Sequence, residues 1–288
     1  ESLDKNVINP DVTIDQLLTM TSGIGDEMNP DMKDYTLLQQ SQDWKSMDPV
    51  RLIINNFIPP GTWDYSNSNG WLLGLIAEHV GRRDLNELYK SELWEPLDLV
   101  ALLLPQDRAP ANTARPYDDS QAKWQVTGLT DLSEHYRSFY PDWYQAFGAT
   151  SWSTAGIITT PENLARWAYE LVSDKGSAIS PTARAMLLDS FTGMVVHLGG
   201  YEQQYGYHLT KRVIALENSD EITAYGHPGG GGGITSIFYY SPELDLSIAL
   251  VANSHSDAKS KAEAEGKLVT ATIDTIARQI FDAYNGNQ

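Results

Sequence analysis

The sequence predicts an α/β fold, an antiparallel sheet flanked by helices beside a mostly helical lobe. Residues 234–240 are β-branched and aromatic, residues 246–252 are mostly apolar, and a Ser-Pro-Glu turn separates these two strands. The final helix carries one apolar face, which we expect to pack on the sheet and which comprises Val269, Ile273, Ile276, Ile280 and Tyr284. We expect one intertwined domain, with a helical lobe and its pocket loops over residues 1–200 and the sheet with the terminal helix over residues 201–288.

Capping residues mark the first helices of the lobe. Thr13 is a suitable N-cap, and the short helix that follows is expected to end at Gly23. Ser22, beside that glycine, is interpreted as part of the helix C-cap rather than as a nucleophile. Another helix ends at Gly81, and a shorter one covers about residues 84–94. The apolar positions of the longer helix are Leu72, Leu73, Ile76 and Val80.

Two later helices begin with proline. Thr160 is the expected N-cap of the first, with Pro161 at its first helical position, and Ser180-Pro181 repeats the pattern. The apolar residues of the first of these helices predict a buried stripe of Leu164, Trp167, Ala168, Leu171 and Val172.

The composition excludes several classes of function. The chain has 288 residues, with 38 Asp and Glu against 20 Lys and Arg, and its net charge of −18 makes nucleic acid and anionic membrane surfaces poor partners. The absence of cysteine excludes disulfides, thiolate catalysis and cysteine metal sites. No apolar run approaches the roughly 20 residues that span a bilayer. The six histidines show no metal-binding spacing, so no metal site is expected.

Five consecutive glycines, residues 229–233, follow His227 and Pro228. Backbone that is nearly free of side chains can present N–H groups to a developing oxyanion, with the histidine beside it as a polar contact. The other interpretation is a glycine-rich hairpin with a solvated histidine. The stretch alone leaves both open. No lysine follows the glycines, so a phosphate-binding P-loop is not indicated.

The tripeptide Tyr65-Ser66-Asn67 follows a Pro-Pro-Gly turn and precedes an amphipathic helix. Such a junction can hold a phenol and a carboxamide in one cleft, where the phenol could relay a proton if nearby cations lower its pKa from about 10. The alternative is an ordinary loop tyrosine beside a helix-capping asparagine. These residues alone do not decide between the two.

Four blocks of sequence, taken together, resemble the serine β-lactamase-like, penicillin-recognising hydrolases. Residues 13–24 (T-I-D-Q-L-L-T-M-T-S-G-I) resemble a family block in which Met20 is usually histidine. Residues 60–67 (P-G-T-W-D-Y-S-N) resemble its P-G-x-x-x-Y-S-N block, and residues 155–167 resemble G-G-L-x-S-T-x-x-D-L-A-R. Residues 225–253 resemble Y-G-H-x-G-G and the hairpin that follows it. The blocks occur in the family's order and span nearly the whole chain.

The resemblance implies roles for particular residues. Tyr65 would relay a proton and Asn67 would bind the substrate amide or ester. His227 and Gly229 match a substrate-binding motif that is Lys-Thr-Gly or His-x-Gly elsewhere in the family, and the N–H of Gly230 would be one of two oxyanion donors. No metal or organic cofactor is implied.

The nucleophile expected from the resemblance is the serine of a Ser-x-x-Lys motif that precedes residues 13–24, and we expect that segment and its strands to be absent from this chain. Ser256 and Lys259 match the motif, although at the wrong place in the family's order. Without the missing strands residues 246–252 would form an exposed apolar edge, so we expect a complementing N-terminal fragment or a homodimer to cover it.

The implied function is acyl transfer on a small-molecule ester, amide or β-lactam through an acyl-enzyme. The class includes class C β-lactamases, D-alanyl-D-alanine carboxypeptidases and carboxylesterases, and the His-x-Gly form favours an ester or small amide. Residues 24–50 and 101–143 are expected to form loops around the pocket. The alternative is a truncated or degenerate member that binds a ligand or partner chain without turnover. The chain opens Glu-Ser-Leu-Asp, without an initiator methionine or a recognisable signal peptide, and we expect a processed periplasmic or secreted protein.

Overall fold

The computed structural model describes residues 8–25, 44–53, 58–118, 130–131, 143–198, 201–255 and 263–286. The chain groups into two compact units: unit 1 comprises Glu1–Ala111 and Tyr136–Thr159, and unit 2 comprises Asn112–His135 and Thr160–Gln288. The expected division of the chain at residue 200, between a helical lobe and a sheet with the terminal helix, stays a prediction.

The described elements alternate helices and short strands before a run of longer strands. In chain order they are α1 (Ile14–Leu18), a 3-10 turn (Pro49–Leu52), α2 (Asn67–Gly81), α3 (Leu85–Tyr89) continued by a π-helical turn (Lys90–Trp94), β1 (Ala101–Leu103), β2 (Tyr117–Asp118), β3 (Thr130–Asp131), α4 (Trp143–Ala155), β4 (Ile157–Thr159), α5 (Pro161–Val172), α6 (Pro181–Asp189), β5 (Val195–Leu198), β6 (Tyr201–Tyr205), β7 (Thr210–Ala215), β8 (Glu221–Gly231), β9 (Ile234–Ser241), β10 (Leu246–Ala252), β11 (Ser254–His255) and α7 (Glu263–Asn285).

The predicted helix starts are confirmed by their hydrogen bonds. Thr13 and Gln16 form a reciprocal capping box at α1. The Thr160 hydroxyl accepts from the backbone N–H of Asn163 at the start of α5, and Ser180 caps α6 in the same way. These contacts join residues three apart in sequence, so local chemistry suffices to place them.

The predicted end of the first helix is wrong. Helix α1 ends at Leu18, and Met20 already has a left-handed φ of 60°. Gly23 has a φ of 74° and lies so close to another chain segment that a Cβ there would meet the Ile58 carbonyl oxygen at 2.1 Å. A glycine is therefore required at position 23 because another backbone segment approaches closely there, and not because it caps a helix. Ser22 likewise makes no helix cap, and its contacts are described below.

Unit 1 is built around α2 and α4. The buried face of α2 combines Trp71 and Leu72 with small residues, and Val80, a predicted apolar position, is 76% exposed. Gly74 lies where a Cβ would meet Ser153 at 2.7 Å, and the Ser153 hydroxyl donates to the carbonyl of Gly70 at 2.9 Å. Small residues thus let α4 approach α2 closely, which a search for large apolar side chains does not detect.

Unit 2 contains a six-stranded antiparallel sheet with the order β10-β9-β8-β7-β6-β5. Helix α7 covers one face, where Ile222, Ala224 and Ile248 contribute to its core. Helices α5 and α6 contribute Ala168 and Leu187 to a second core that includes sheet residues. The predicted pair of strands after the glycines is confirmed as β9 and β10, and β10 is the sheet edge among the described strands.

The predicted apolar face of the terminal helix is only partly correct. Ile273 is buried, but the other buried positions are Ala277 and Phe281, which are both 0% exposed. Ile276, Ile280 and Tyr284 are between 37% and 39% exposed. The side chain of Val269, the remaining predicted position, lies outside the part of the chain that the structure describes. The helix is therefore rotated relative to the prediction, and Ala277 and Phe281 pack into the core with sheet residues instead.

Candidate active site

The predicted site residues fall into two groups. Tyr65 and Asn67 belong to unit 1, whereas His227, Gly229 and Gly230 belong to unit 2.

The segment that leads into Tyr65 is held by backbone hydrogen bonds to the loop after α1. The N–H of Gly61 donates to the carbonyl of Thr21 at 2.8 Å, and the N–H of Asp64 donates to the carbonyl of Met20 at 2.9 Å. Ser66 is the N-cap residue of α2, with an extended backbone, and is fully buried, while Tyr65 and Asn67 on either side of it stay partly exposed. The motif therefore turns its central residue inward and keeps the two predicted functional side chains at the surface of their unit.

A buried polar network lies directly beneath this motif. Asn69, the third residue of α2, is 0% exposed, and its amide nitrogen donates to the carbonyl oxygen of Ser66 at 3.0 Å. The hydroxyl of Ser22 donates to the amide oxygen of Asn69 at 2.5 Å. Sequence reasoning missed Asn69, because the helix start Asn67-Ser68-Asn69-Gly70 is polar throughout and nothing in it singles out one residue as buried.

The glycine run in unit 2 forms the end of a strand and a tight hairpin turn. Gly231 is paired with Ile234, which leaves Gly232 and Gly233 as a two-residue turn. Their φ angles are 58° and 80°, as a type I′ turn requires of both central residues. A Cβ on Gly233 would also meet Pro116 at 2.7 Å, so this position combines a left-handed backbone with close packing.

The strand register leaves part of β8 open on one side. Pairing with β7 ends at Thr210 opposite Gly226, whereas pairing with β9 continues to Gly231. Within the described part of the chain, residues 227–231 of β8 therefore pair only with β9. Their remaining backbone groups form an open edge.

Alternation along the ladder identifies which N–H lies on that edge. In a type I′ turn the residue before the turn bonds to the residue after it, so Gly231 directs its groups toward β9. Backbone groups alternate in direction along an antiparallel strand, so residues 228 and 230 direct theirs away from β9. Proline has no N–H. Of residues 227–231, Gly230 therefore supplies the N–H on the open edge, and this residue is exposed.

His227 is partly buried beside this edge, and both of its ring nitrogens have partners in unit 2. Nδ1 lies 2.6 Å from the carbonyl oxygen of Pro228, and Nε2 lies 3.3 Å from the hydroxyl of Tyr205. Because a carbonyl only accepts, Nδ1 carries the proton and Nε2 accepts from Tyr205 in the neutral ring. Tyr205 is 1% exposed, and its ring packs edge-on against the imidazole.

The environment of His227 favours the neutral imidazole. Burial lowers the pKa of His227 from its ordinary value of 6.5 to about 4, with a further lowering by His208, against a smaller opposing effect of the hydrogen bond to Pro228. At neutral pH this residue therefore provides hydrogen bonds rather than a positive charge. Sequence reasoning missed Tyr205, because only strand pairing brings β6 and β8 within reach of each other.

Gly229 lies on β8 opposite Ser236 of β9. A Cβ at this position would meet the Ser236 hydroxyl at 2.4 Å, so a larger residue would require that side chain to move. The glycine therefore lets β8 pair with β9 here without displacing the Ser236 hydroxyl.

Several predicted features lie outside the described residues. These are Ser256 and Lys259, most of the loop over residues 24–50, and much of the segment over residues 101–143. Among the described residues no cluster of three or more His, Cys, Asp or Glu is arranged to hold a metal ion. None of the helices in the described ranges has the length and apolarity needed to cross a membrane.

Comparison with solved structures shows the fold. A D-amino acid amidase from Ochrobactrum anthropi SV3, complexed with L-phenylalanine amide, matches with a TM-score of 0.71 and 18% identity, over 100% of this chain and 78% of that one. A D-stereospecific amidohydrolase from Streptomyces sp. matches with a TM-score of 0.64 and 21% identity, over 89% and 75% of the two chains. A penicillin binding protein from Bacillus halodurans matches with a TM-score of 0.64 and 20% identity, over 93% and 74%.

A search of curated proteins found no match. The model of the beta-lactamase family matches residues 3–271, which is most of the chain. This match confirms the resemblance carried by the four sequence blocks, and the α/β arrangement of an antiparallel sheet with helices agrees with it. The chain belongs to the beta-lactamase family.

Proposed function

We propose that this chain carries the oxyanion-binding and proton-relay residues of a serine hydrolase that transfers an acyl group from an ester, a small amide or a β-lactam through an acyl-enzyme. The observation that carries the proposal is the open edge of β8, where the register of the described strands leaves the N–H of Gly230 outside the sheet ladder. A backbone donor held by a strand needs little rearrangement to bind charge that develops during the reaction.

Each predicted residue has a role in this reaction. A serine hydroxyl attacks the acyl carbon, and the carbonyl oxygen, which becomes negative, accepts from the N–H of Gly230. Tyr65 relays the serine proton to the leaving group, and Asn67 orients the substrate. Water then attacks the acyl-enzyme and releases the acid.

His227 serves this reaction through the backbone of β8. Its Nδ1–H bonds to the carbonyl of Pro228, whose backbone groups lie on the same open edge as those of Gly230. The neutral ring thus helps to fix the backbone of the open edge, and Gly229 lets β8 pair with β9 without displacing the Ser236 hydroxyl.

An ester or small amide is the preferred substrate class. The sequence has His-Pro-Gly where the lactamases of the family have Lys-Thr-Gly, and a neutral imidazole attracts the substrate carboxylate of a β-lactam less than a lysine would. The neighbouring amidases, named for D-amino acid and D-stereospecific substrates, support the amide alternative.

A covalent probe tests the reaction class. The protein as its natural gene encodes it is incubated with a fluorophosphonate or a penicillin, and its intact mass is measured. One adduct on a serine is expected. Reversible penicillin binding without an adduct would contradict turnover and support the ligand-binding alternative. Faster hydrolysis of a chromogenic cephalosporin than of p-nitrophenyl esters would contradict the substrate preference.

The role of Tyr65 is tested by removing its hydroxyl. Tyr65→Phe should lower turnover at least about 100-fold, because general acid–base groups typically contribute that much. Tyr89→Phe is the matched control in the same unit, since burial raises the pKa of Tyr89 to about 12 and keeps that phenol protonated. Equal activity of the two variants would refute the assignment.

A further inference from the structure

The buried network between the loop after α1 and the start of α2 is connected to the peptide that joins the two predicted functional residues of unit 1. Ser22 is 2% exposed and Asn69 is 0% exposed. Hydroxyl and amide groups in such a position are costly unless they are hydrogen-bonded, and apolar side chains would fill the same space without that requirement. The network therefore calls for a role beyond packing.

Asn69 uses both ends of its side chain. Its oxygen accepts from the hydroxyl of Ser22 at 2.5 Å, and its nitrogen donates to the carbonyl oxygen of Ser66 at 3.0 Å. The same nitrogen lies 3.2 Å from the sulfur of Met20, a weak acceptor. A continuous set of contacts thus runs from residues 20–22 to the carbonyl of Ser66, which is the residue between Tyr65 and Asn67.

Ser66 itself lacks another anchor through its side chain. It makes no side-chain capping bond to α2, and its buried hydroxyl has no hydrogen-bond partner among the residues that the structure describes. Its orientation is consequently set through its backbone, where the carbonyl accepts from both the N–H and the side-chain nitrogen of Asn69.

The same loop also fixes the chain before Tyr65. Backbone hydrogen bonds join Gly61 to Thr21 and Asp64 to Met20, and the hydroxyl of Ser22 accepts from the N–H of Ile24 at 3.2 Å. The Tyr-Ser-Asn motif is therefore held on both sides by one short loop, with Ser22 as the residue that ties the loop to Asn69.

We infer that Ser22 and Asn69 are positioning residues that fix the orientations of Tyr65 and Asn67 for proton relay and substrate binding. The inference rests on the proposed function for the roles of Tyr65 and Asn67. Ser22, which the sequence suggested as a helix cap, acts in this account through Asn69 and does not touch the substrate.

Ser68 offers a matched control. It is a buried serine on the same turn of α2, and its hydroxyl donates to the carbonyl of Gly25 in the same loop at 2.8 Å. Ser68→Ala thus removes one buried hydrogen bond between the same two segments, as Ser22→Ala does, but leaves the contacts to the carbonyl of Ser66 in place.

The test compares kcat and KM for p-nitrophenyl ester hydrolysis by the naturally encoded protein and by its Ser22→Ala, Asn69→Ala and Ser68→Ala variants. Ser22→Ala and Asn69→Ala should lower kcat at least about tenfold, since small misplacements of catalytic groups have large effects on rate. Ser68→Ala should change kcat by less than about twofold at a similar thermal midpoint. The double variant Ser22→Ala with Asn69→Ala should be no slower than Asn69→Ala alone, because both changes break one set of contacts.

Equal kcat values for the Ser22, Asn69 and Ser68 variants would overturn the inference, as would independent effects that multiply in the double variant. Amide hydrogen exchange separates this result from failure of the proposed function. If the unsubstituted protein shows no turnover, the proposed hydrolase function is wrong. The positioning role would still be supported if amides over residues 65–69 exchange faster in Asn69→Ala than in Ser68→Ala. Equal exchange in those two variants would overturn it without reference to activity.

Discussion

His227 should make the protein less stable as the pH falls from 7 to 4. Its pKa is about 4 in the folded chain because its partial burial disfavours the charged ring, whereas its ordinary value is 6.5. Below pH 6.5 the unfolded chain gains a proton that the folded chain does not bind, so acid favours unfolding. Above pH 6.5 both states hold a neutral ring, and this contribution vanishes.

The size of this loss of stability follows from the difference of about 2.5 units between the pKa of 6.5 in the unfolded chain and about 4 in the folded chain. At 1.36 kcal/mol per unit, the full loss is about 3.4 kcal/mol well below pH 4, and about 3 kcal/mol of it is reached at pH 4. At pH 5 most of the unfolded chain is protonated and little of the folded chain, which corresponds to a loss of about 2 kcal/mol. Such a change is a large fraction of the stability of an ordinary domain.

Urea unfolding at several pH values between 7.5 and 4.5 measures this loss. Carboxylates also titrate in this range, so the informative quantity is the difference between the unsubstituted protein and His227→Asn. That difference should shrink by about 2 kcal/mol between pH 7.5 and pH 5. His79→Asn, at an exposed position on α2, is the control substitution. Parallel curves for the unsubstituted protein and His227→Asn, or an NMR titration midpoint for His227 near 6.5, would refute the reasoning.

Three further predictions concern stability and are checked by urea unfolding at pH 7. Phe281→Ala should lower the free energy of unfolding by about 3–5 kcal/mol, because the ring is 0% exposed. Ile280→Ala, at the neighbouring position that is 37% exposed, should lower it by less than about 1.5 kcal/mol. A larger effect of Ile280→Ala than of Phe281→Ala would support the helix face predicted from the sequence. Arg184→Ala should lower the free energy of unfolding by at least about 2 kcal/mol, because the buried guanidinium donates to four backbone carbonyls, including that of Gly176 at 2.7 Å. Arg184→Lys should keep only part of this stability, and full stability in that variant would show that the positive charge alone matters. Thr160→Ala should lower the free energy of unfolding by about 1 kcal/mol through loss of the N-cap of α5, and Thr160→Ser should leave it almost unchanged. Equal losses in the two variants would argue against the capping role.

The sequence could predict the features whose chemistry is local. Thr13 and Thr160 cap helices through residues three positions away, and the glycines form a turn that only positive φ angles permit. The motif residues Tyr65, Asn67, His227, Gly229 and Gly230 were found in the same way, from short patterns in a fixed order. Their roles stay predictions until the proposed experiments are done.

Other parts of the candidate site depend on contacts between distant segments. The open edge at Gly230 follows from where β7 stops, and the neutral state of His227 follows from its burial beside Tyr205. Asn69 contacts Ser22, which is 47 positions away, and no sequence period relates the two. Such pairs are set by the packing of whole elements.

The sequence by itself determined the family, the helix starts and the β9–β10 hairpin, because these depend on residues close together in the chain. Only the tertiary structure decided which face of α7 is buried, and the contrast between Ile280 and Phe281 shows why. Both are large and apolar, so hydrophobic spacing alone permits either face. In the folded chain the small Ala277 and the large Phe281 pack together with sheet residues such as Ile222 and Ile248, so packing against the sheet selects the buried face.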